Sequence, residues 1–310
     1  MVRGRSVTPT RRAARAALRS KGAESVTRIA REKHQRSAWW LTAALLAVGL
    51  PVAAHEFWVT PSGWLLQPGA RATILANVGD QFPGANSFTT PDRIETIRLV
   101  GPATDMVIRP PYRREKDSLA ADTQLPEAPG TYVGIVVVKP RVGEKSGPVF
   151  QQHIAHQGLD DVGEYRAKHG ETDKAVRERY SRYGKTLLRV GAGGTSTHVT
   201  TPVGLKIELV PEVDPTTLRA GSMLRVRLLL DGQPAPNALV GAIYASAKAT
   251  PETWPLTGRT DAKGNIEFRL QAPGPWLIRA VRTVRRTGET GDLAADWESY
   301  WASLSFQLAR

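Results

Sequence analysis

Beyond residue 55 the chain is patterned mostly as strands and turns. Phe57-Trp58-Val59 and the run Arg71–Val78 have strand content, and Pro68-Gly69 and Gly79-Asp80 bracket the second. Ile94–Val100 alternates apolar and polar positions, and Gly130–Val138 is an apolar, β-branched run closed by Lys139-Pro140. Strand patterning returns over Leu205–Val210, Leu224–Leu230, Ala238–Tyr244, Ile266–Leu270, Trp276–Val284 and Ser303–Leu308. Between the third and fourth of these, Thr260–Asn265 reads as a tight hairpin turn, with Gly264 free to adopt a positive φ.

Two stretches break this pattern. Residues 110–128 are polar and flanked by proline, and read as a loop. Residues 147–190 lose alternation, and helix is predicted for Phe150–Ala155 and Glu171–Leu188. In the second, Val176, Tyr180, Tyr183 and Leu187 fall at helical spacing, with Arg177, Arg179, Arg182 and Lys185 as a solvated basic face. The Gly-rich stretch Val190–Ser196 is a turn without the Lys-Ser/Thr ending of a phosphate loop.

The pattern predicts a mainly β protein: two Ig-like β-sandwich domains, 55–150 and 199–310, joined by a helical insert and linker, 151–198. A weak internal echo fits two sandwiches of related design. Leu66–Gly69, a strand and Gly79-Asp80-Gln81 resemble Leu218–Gly221, a strand and Asp231-Gly232-Gln233.

Ahead of this lies a targeting signal, 1–54. A basic stretch precedes the apolar run of residues 39–50, and the small residues Val52-Ala53-Ala54 follow. The apolar run is shorter than the roughly 20 residues that span a bilayer. A cleaved signal is therefore expected, with a periplasmic mature protein that begins at His55 and keeps no membrane span. The alternative is an uncleaved signal anchored in the inner membrane.

Charge changes meaning in that light. Residues 1–54 hold eleven Lys and Arg against two acidic residues, so of the formal +13 only +4 belongs to the remainder. Nucleic acid is not an expected partner. The chain has no cysteine, which excludes disulfides, thiolate metal sites, cysteine nucleophiles and a lipoprotein anchor.

Candidate chemistry rests on histidine. Cleavage after Ala54 would give His55 a free α-amine, and amine and imidazole Nδ1 together chelate a metal. Nitrogen donors suit Cu2+ or Ni2+. His153 and His156, three apart on an expected helix, would share a face and form a second candidate metal pair. His169 reads as a helix end and His198 as a surface residue. No Gly-x-Ser-x-Gly, dinucleotide fingerprint or spaced carboxylate pair is present, so no catalytic residue is assigned and no enzyme is expected. Trp297 and Trp301 read as core or interface packing.

The order of His55-Glu56-Phe57-Trp58-Val59, RYSRYGKTLLRVG, PVGLKIELVPEVDP, the TDAKGN turn, Trp276-Leu277-Ile278 and the closing DWESYWASLSF resembles a known periplasmic group. This is the domain-of-unknown-function family 4198, formerly labelled a substrate-specific component of nickel uptake. The resemblance covers nearly the whole chain after residue 54. It implies an exported, β-rich protein tied to nickel or cobalt uptake, with His55 as a metal ligand and a metal transporter or other envelope protein as partner. Relatives often carry a His in the strand after Trp-Leu-Ile, where this chain has Arg282. An always-protonated guanidinium cannot coordinate, and Asp296 is the substitute ligand. The alternative function is a non-catalytic envelope interaction module without metal.

Overall fold

The computed structural model describes residues 55–102, 104–194, 197–247 and 254–309. Residues 1–54, expected to be a targeting signal, lie outside the described residues. In chain order the elements are β1 (Glu56–Pro61), β2 (Leu65–Leu66), β3 (Arg71–Gly79), β4 (Ile94–Gly101), β5 (Thr104–Val107), β6 (Arg113–Glu115), β7 (Ser118–Gln124), β8 (Gly130–Lys145), α1 (Gly147–His156), α2 (Asp160–Lys168) and β9 (Val176–Val190). There follow β10 (Ile207–Pro211), β11 (Met223–Leu230), β12 (Gln233–Pro234), β13 (Leu239–Tyr244), β14 (Leu256–Arg259), β15 (Asn265–Arg269), β16 (Gly274–Arg285) and β17 (Trp297–Leu308).

A central sheet runs β14-β13-β16-β17-β9-β8-β4-β5, with β2 beside β9. The alternation of β8 shows how it is covered. Val133, Ile135 and Val137 point into one core, shared with β10, β11, β13, β15, β16 and β17. Tyr132, Val136 and Val138 point into another, shared with β1, β3, β4 and β7. A strand buried on both faces must be apolar throughout, which is why Gly130–Val138 is a continuous run. One face of the sheet thus carries the outer sheet β10-β11-β12, with β15 on β11. The other carries the outer sheet β1-β3-β7-β6 and, beside it, α1 and α2. The helices seat Phe150, Ile154, Leu159 and Val162 against Val281, Trp297 and Trp301.

The molecule is mainly β, built as two sandwiches with a helical insert, as the pattern predicts. The sandwiches share the central sheet: β4, β5 and β8 from 55–150 pair through β9 with strands of 199–310. The expected divisions at 150 and 199 therefore fall within one hydrogen-bonded layer. The two halves of the internal echo become β3 and β11, each flanked on both sides in its own outer sheet.

Three expectations are corrected. Helix is found at α1 and α2, but Val176–Val190 is strand β9, parallel to β17 and antiparallel to β8. Its period is masked because Glu178, Ser181, Lys185 and Thr186 are buried polar residues, satisfied by partners rather than by solvent. Residues 110–128 are not all loop: β6 and β7 form a hairpin, with Arg113 bonded to Asp122 at 2.8 Å and Leu119 and Ala121 in the core. The Thr260–Asn265 turn does hold Gly264 at φ 76°, but it joins β14 of the central sheet to β15 of an outer sheet and closes no hairpin.

Candidate functional site at the start of β1

Strand β1 packs across β9 and β17 as well as pairing with β3. Phe57 and Val59 sit over Gly184, where a Cβ would stand 2.8 Å and 2.5 Å from their side chains. The Val59 carbonyl accepts a bond from the Ser305 hydroxyl. On the opposite side of β1, Trp58 packs with Phe82, Ile243 and Leu277. These contacts fix the strand, and with it the two residues at its start.

His55 immediately precedes β1. The antiparallel register pairs Glu56 with Gly79, so the next position on each chain brings His55 beside Asp80. Nδ1 of His55 lies 2.9 Å from Oδ1 of Asp80, with the side chains 46% and 21% exposed. Asn86 Nδ2 donates to the other Asp80 oxygen at 3.2 Å, and Arg182 Nη2 donates to the His55 carbonyl at 3.1 Å.

Behind this rim the site becomes buried and cationic. Arg279 of β16 and Arg182 of β9 lie on the face of the central sheet that carries β1, one on each side of β17. The register sets Arg279 opposite Ser303 and Arg182 opposite Trp301. Glu56 stands 3.6 Å from Arg279 Nε. Burial pushes the Glu56 carboxyl up, against the pull of Arg279 and Arg182. Burial lowers both guanidiniums from their ordinary value. Arg279 Nη1 donates to the side-chain carbonyl of Gln157, the residue that ends α1, and the guanidinium lies 4.7 Å from the Trp254 ring centre.

The other expected site residues lie apart from His55 or are engaged elsewhere. His153 is buried on α1, its ring 5.9 Å from that of Trp301 and its Nε2 3.5 Å from Glu178 Oε1. Lys145 and Ser299 also bond Glu178. Burial raises that carboxyl, but His153 and Lys145 outweigh it and hold it at about 2. His156 is half-buried on the same helix. Asp296 leads into β17 by backbone bonds in both directions with Arg177 and Arg286, and its side chain accepts from the Arg177 amide at 2.9 Å. Arg177 is five residues along β9 from Arg182, roughly 16 Å, so Asp296 does not substitute for a ligand near His55. Arg282 Nη2 pairs with Asp161 of α2 at 3.0 Å. His169 does end α2, and Trp297 and Trp301 are buried in the helix-sheet core, as read. Among the described residues no three His, Asp or Glu side chains converge as a metal cluster. No described helix is long and apolar enough to cross a membrane.

Asp80, Arg182, Arg279 and Gln157 are the parts that sequence reading missed. Asp80 was legible in principle, because a β1–β3 hairpin pairing places it beside His55. The two arginines were not, since nothing local marks a cation in a strand as buried.

The family model described as Domain of unknown function (DUF4198) matches residues 52–284. The chain belongs to that family. The match begins just ahead of His55 and takes in Asp80, Arg182 and Arg279, so the DUF4198 region contains the whole site described above. No curated protein matches the chain. Among solved structures it is similar to the D0-D1 domain of intimin, at 12% identity over 81% of this chain and 97% of that one, with a TM-score of 0.20. It is also similar to the Escherichia coli adhesin FdeC, at 12% identity over 83% and 65% with a TM-score of 0.22. Mouse nectin-like molecule 4, a full ectodomain of Ig1 to Ig3, is 10% identical over 82% and 64% with a TM-score of 0.19. Scores this low carry no argument about this DUF4198 protein.

Proposed function

We propose that this protein is exported to the periplasm and holds Ni2+ or Cu2+ at His55 and Asp80, for transfer to a metal transporter or another envelope protein. The observation that carries this reading is the 2.9 Å between His55 Nδ1 and Asp80 Oδ1. Two ligands each about 2.0–2.1 Å from one metal, at right angles, stand roughly 2.9 Å apart. Cleavage of the segment 39–54 after Ala54 would add the α-amine of His55, an intimate chelating partner for its own imidazole. The donor set of two nitrogens and a carboxylate suits these metals. The metal would be the cargo; no chemistry on a substrate is assigned to it.

The nearby guanidiniums of Arg182 and Arg279 work against a dication, and the Asp80 and Glu56 carboxylates offset them. A site of this kind is expected to exchange its metal readily, as delivery requires. Thermal unfolding of the processed protein, with and without added Cu2+ and Ni2+, tests the reading, since a ligand bound to the native state alone raises its stability. Metal should raise the midpoint of the wild type and not of His55→Ala. Equal shifts in both would contradict it.

A second reading is an interaction module without metal. It is favoured by the pairing of Arg282 with Asp161, at the strand where the family resemblance implies a His, and by the want of a third side-chain ligand among the described residues. No shift with either metal in the wild type would leave this reading in front.

A further inference from the structure

The cationic floor beneath Glu56 holds more donors than the described residues use. Arg182 Nε, Arg279 Nε, Gln157 Nε2, Ser303 Oγ and Trp58 Nε1 are all buried without a hydrogen-bond partner among the described residues. Arg279, Gln157 and Ser303 are 3%, 1% and 3% exposed. They are neighbours in space. Arg279 bonds Gln157, faces Ser303 across the β16–β17 ladder, and shares Glu56 with Arg182. Arg282 and Arg285, which face the helices, also leave Nε without a partner, but each has a carboxylate hydrogen-bonded at Nη, Asp161 at 3.0 Å and Glu171 at 2.9 Å. Arg279 has instead one amide oxygen and a carboxylate at 3.6 Å that makes no hydrogen bond to Nε. Among the described residues, Glu56 is the carboxylate that acts on both guanidiniums.

We infer that Arg182, Arg279, Gln157 and Ser303 bind the carboxylate group of a small organic acid. The donors are fixed on the sheet and on the end of α1, and buried groups of this kind are ordinarily satisfied. Guanidinium N–H groups suit the two oxygens of a carboxylate. The walls favour an organic body over a hydrated inorganic ion. The Trp254 ring lies over Arg279, the Tyr180 ring lies 5.5 Å from Arg182, and Trp58 and Trp301 are buried alongside. Glu56, 3.6 Å from Arg279 and next in the chain to the exposed His55, is itself 12% exposed. Glu56 occupies the place of a second anion and competes with the ligand. This site is distinct from the metal donors and needs no metal.

The test is a titration of the processed protein with acetate, succinate and benzoate in the presence of chelator, with chloride, phosphate and sulfate as inorganic arms. Working without metal keeps its outcome separate from that of the metal reading. At least one organic acid should bind saturably and more tightly than any inorganic anion. Arg279→Gln and Gln157→Leu should each weaken it about tenfold, the loss expected for one charged or buried hydrogen bond. Glu56→Gln, which removes the internal competitor, should strengthen it several-fold, and this variant decides the matter if Arg279→Gln fails to fold. Binding of phosphate or sulfate in preference to every carboxylate, adventitious binding unaffected by these substitutions, or no binding by the wild type and Glu56→Gln alike would overturn the inference.

Discussion

Val59 Cγ2 lies 2.5 Å from the point where Gly184 would carry a Cβ. Strand β1 crosses β9 closely enough that the bare glycine is part of the fit. Gly184→Ala must push β1 outward or force Val59 and Phe57 from their rotamers, and overpacking of this kind costs about 1–3 kcal/mol. Because β1 also sets His55 beside Asp80, the same substitution should weaken the metal-dependent rise in thermal midpoint. Denaturant unfolding and metal titration of this one variant check both effects, and an unchanged protein would show that β1 is not held as described.

On the other face of the central sheet, Lys185 Nζ lies 2.8 Å from Glu208 Oε1, with both side chains almost fully buried. Burial lowers the Lys185 ammonium from its ordinary value despite that partner. Glu208 also accepts bonds from the backbone amides of Val203, Gly204 and Leu205. Glu208→Ala leaves a buried cation and three amides unsatisfied, and should cost about 3–5 kcal/mol. Lys185→Met should cost less, because the amides keep their acceptor. Equal losses in equilibrium unfolding would contradict this ranking.

Glu298 supplies an acid-sensitive contribution. Burial would raise its carboxyl, but bonds from Arg179 at 2.7 Å, Tyr300 and Arg286 hold it down at about 2, against an ordinary 4.5. A depressed carboxylate stabilises the fold above its unfolded value and loses that effect as pH falls from 4.5 towards 2. The shift corresponds to at most about 3 kcal/mol. The stability gap between wild type and Glu298→Gln should therefore be large near neutral pH, narrow as pH falls below 4.5 and close only at about pH 2. Urea unfolding across that range reads it, and a gap independent of pH would refute the assignment.

How far these features were legible in the sequence depends on what each residue hides. The run Gly130–Val138 was legible as a strand, though its burial on both faces came only with the two cores, and the turn glycines marked the strand ends. β9 was not legible, because Glu178 and Lys185 look like solvent-facing charges until their partners, His153 with Lys145 and then Glu208, are brought in by distant segments. His55 stood out from its place after a small-residue stretch. Its neighbour Asp80 was read only as turn punctuation, although the register of β1 on β3 brings the two together. The arginines beneath Glu56 needed the tertiary structure: no charge pattern or spacing links Arg279 to the end of α1, and its bond to Gln157 spans 122 positions.

The most direct test is calorimetric titration of Cu2+ and Ni2+ into protein whose first residue is His55, beside the same protein carrying one extra residue ahead of it. One metal should bind per chain at the native terminus, and both the added residue and Asp80→Asn should weaken it by about tenfold or more, a loss of at least roughly 1.4 kcal/mol. Equal affinity in all three proteins would contradict a site made of the His55 amine, its imidazole and Asp80.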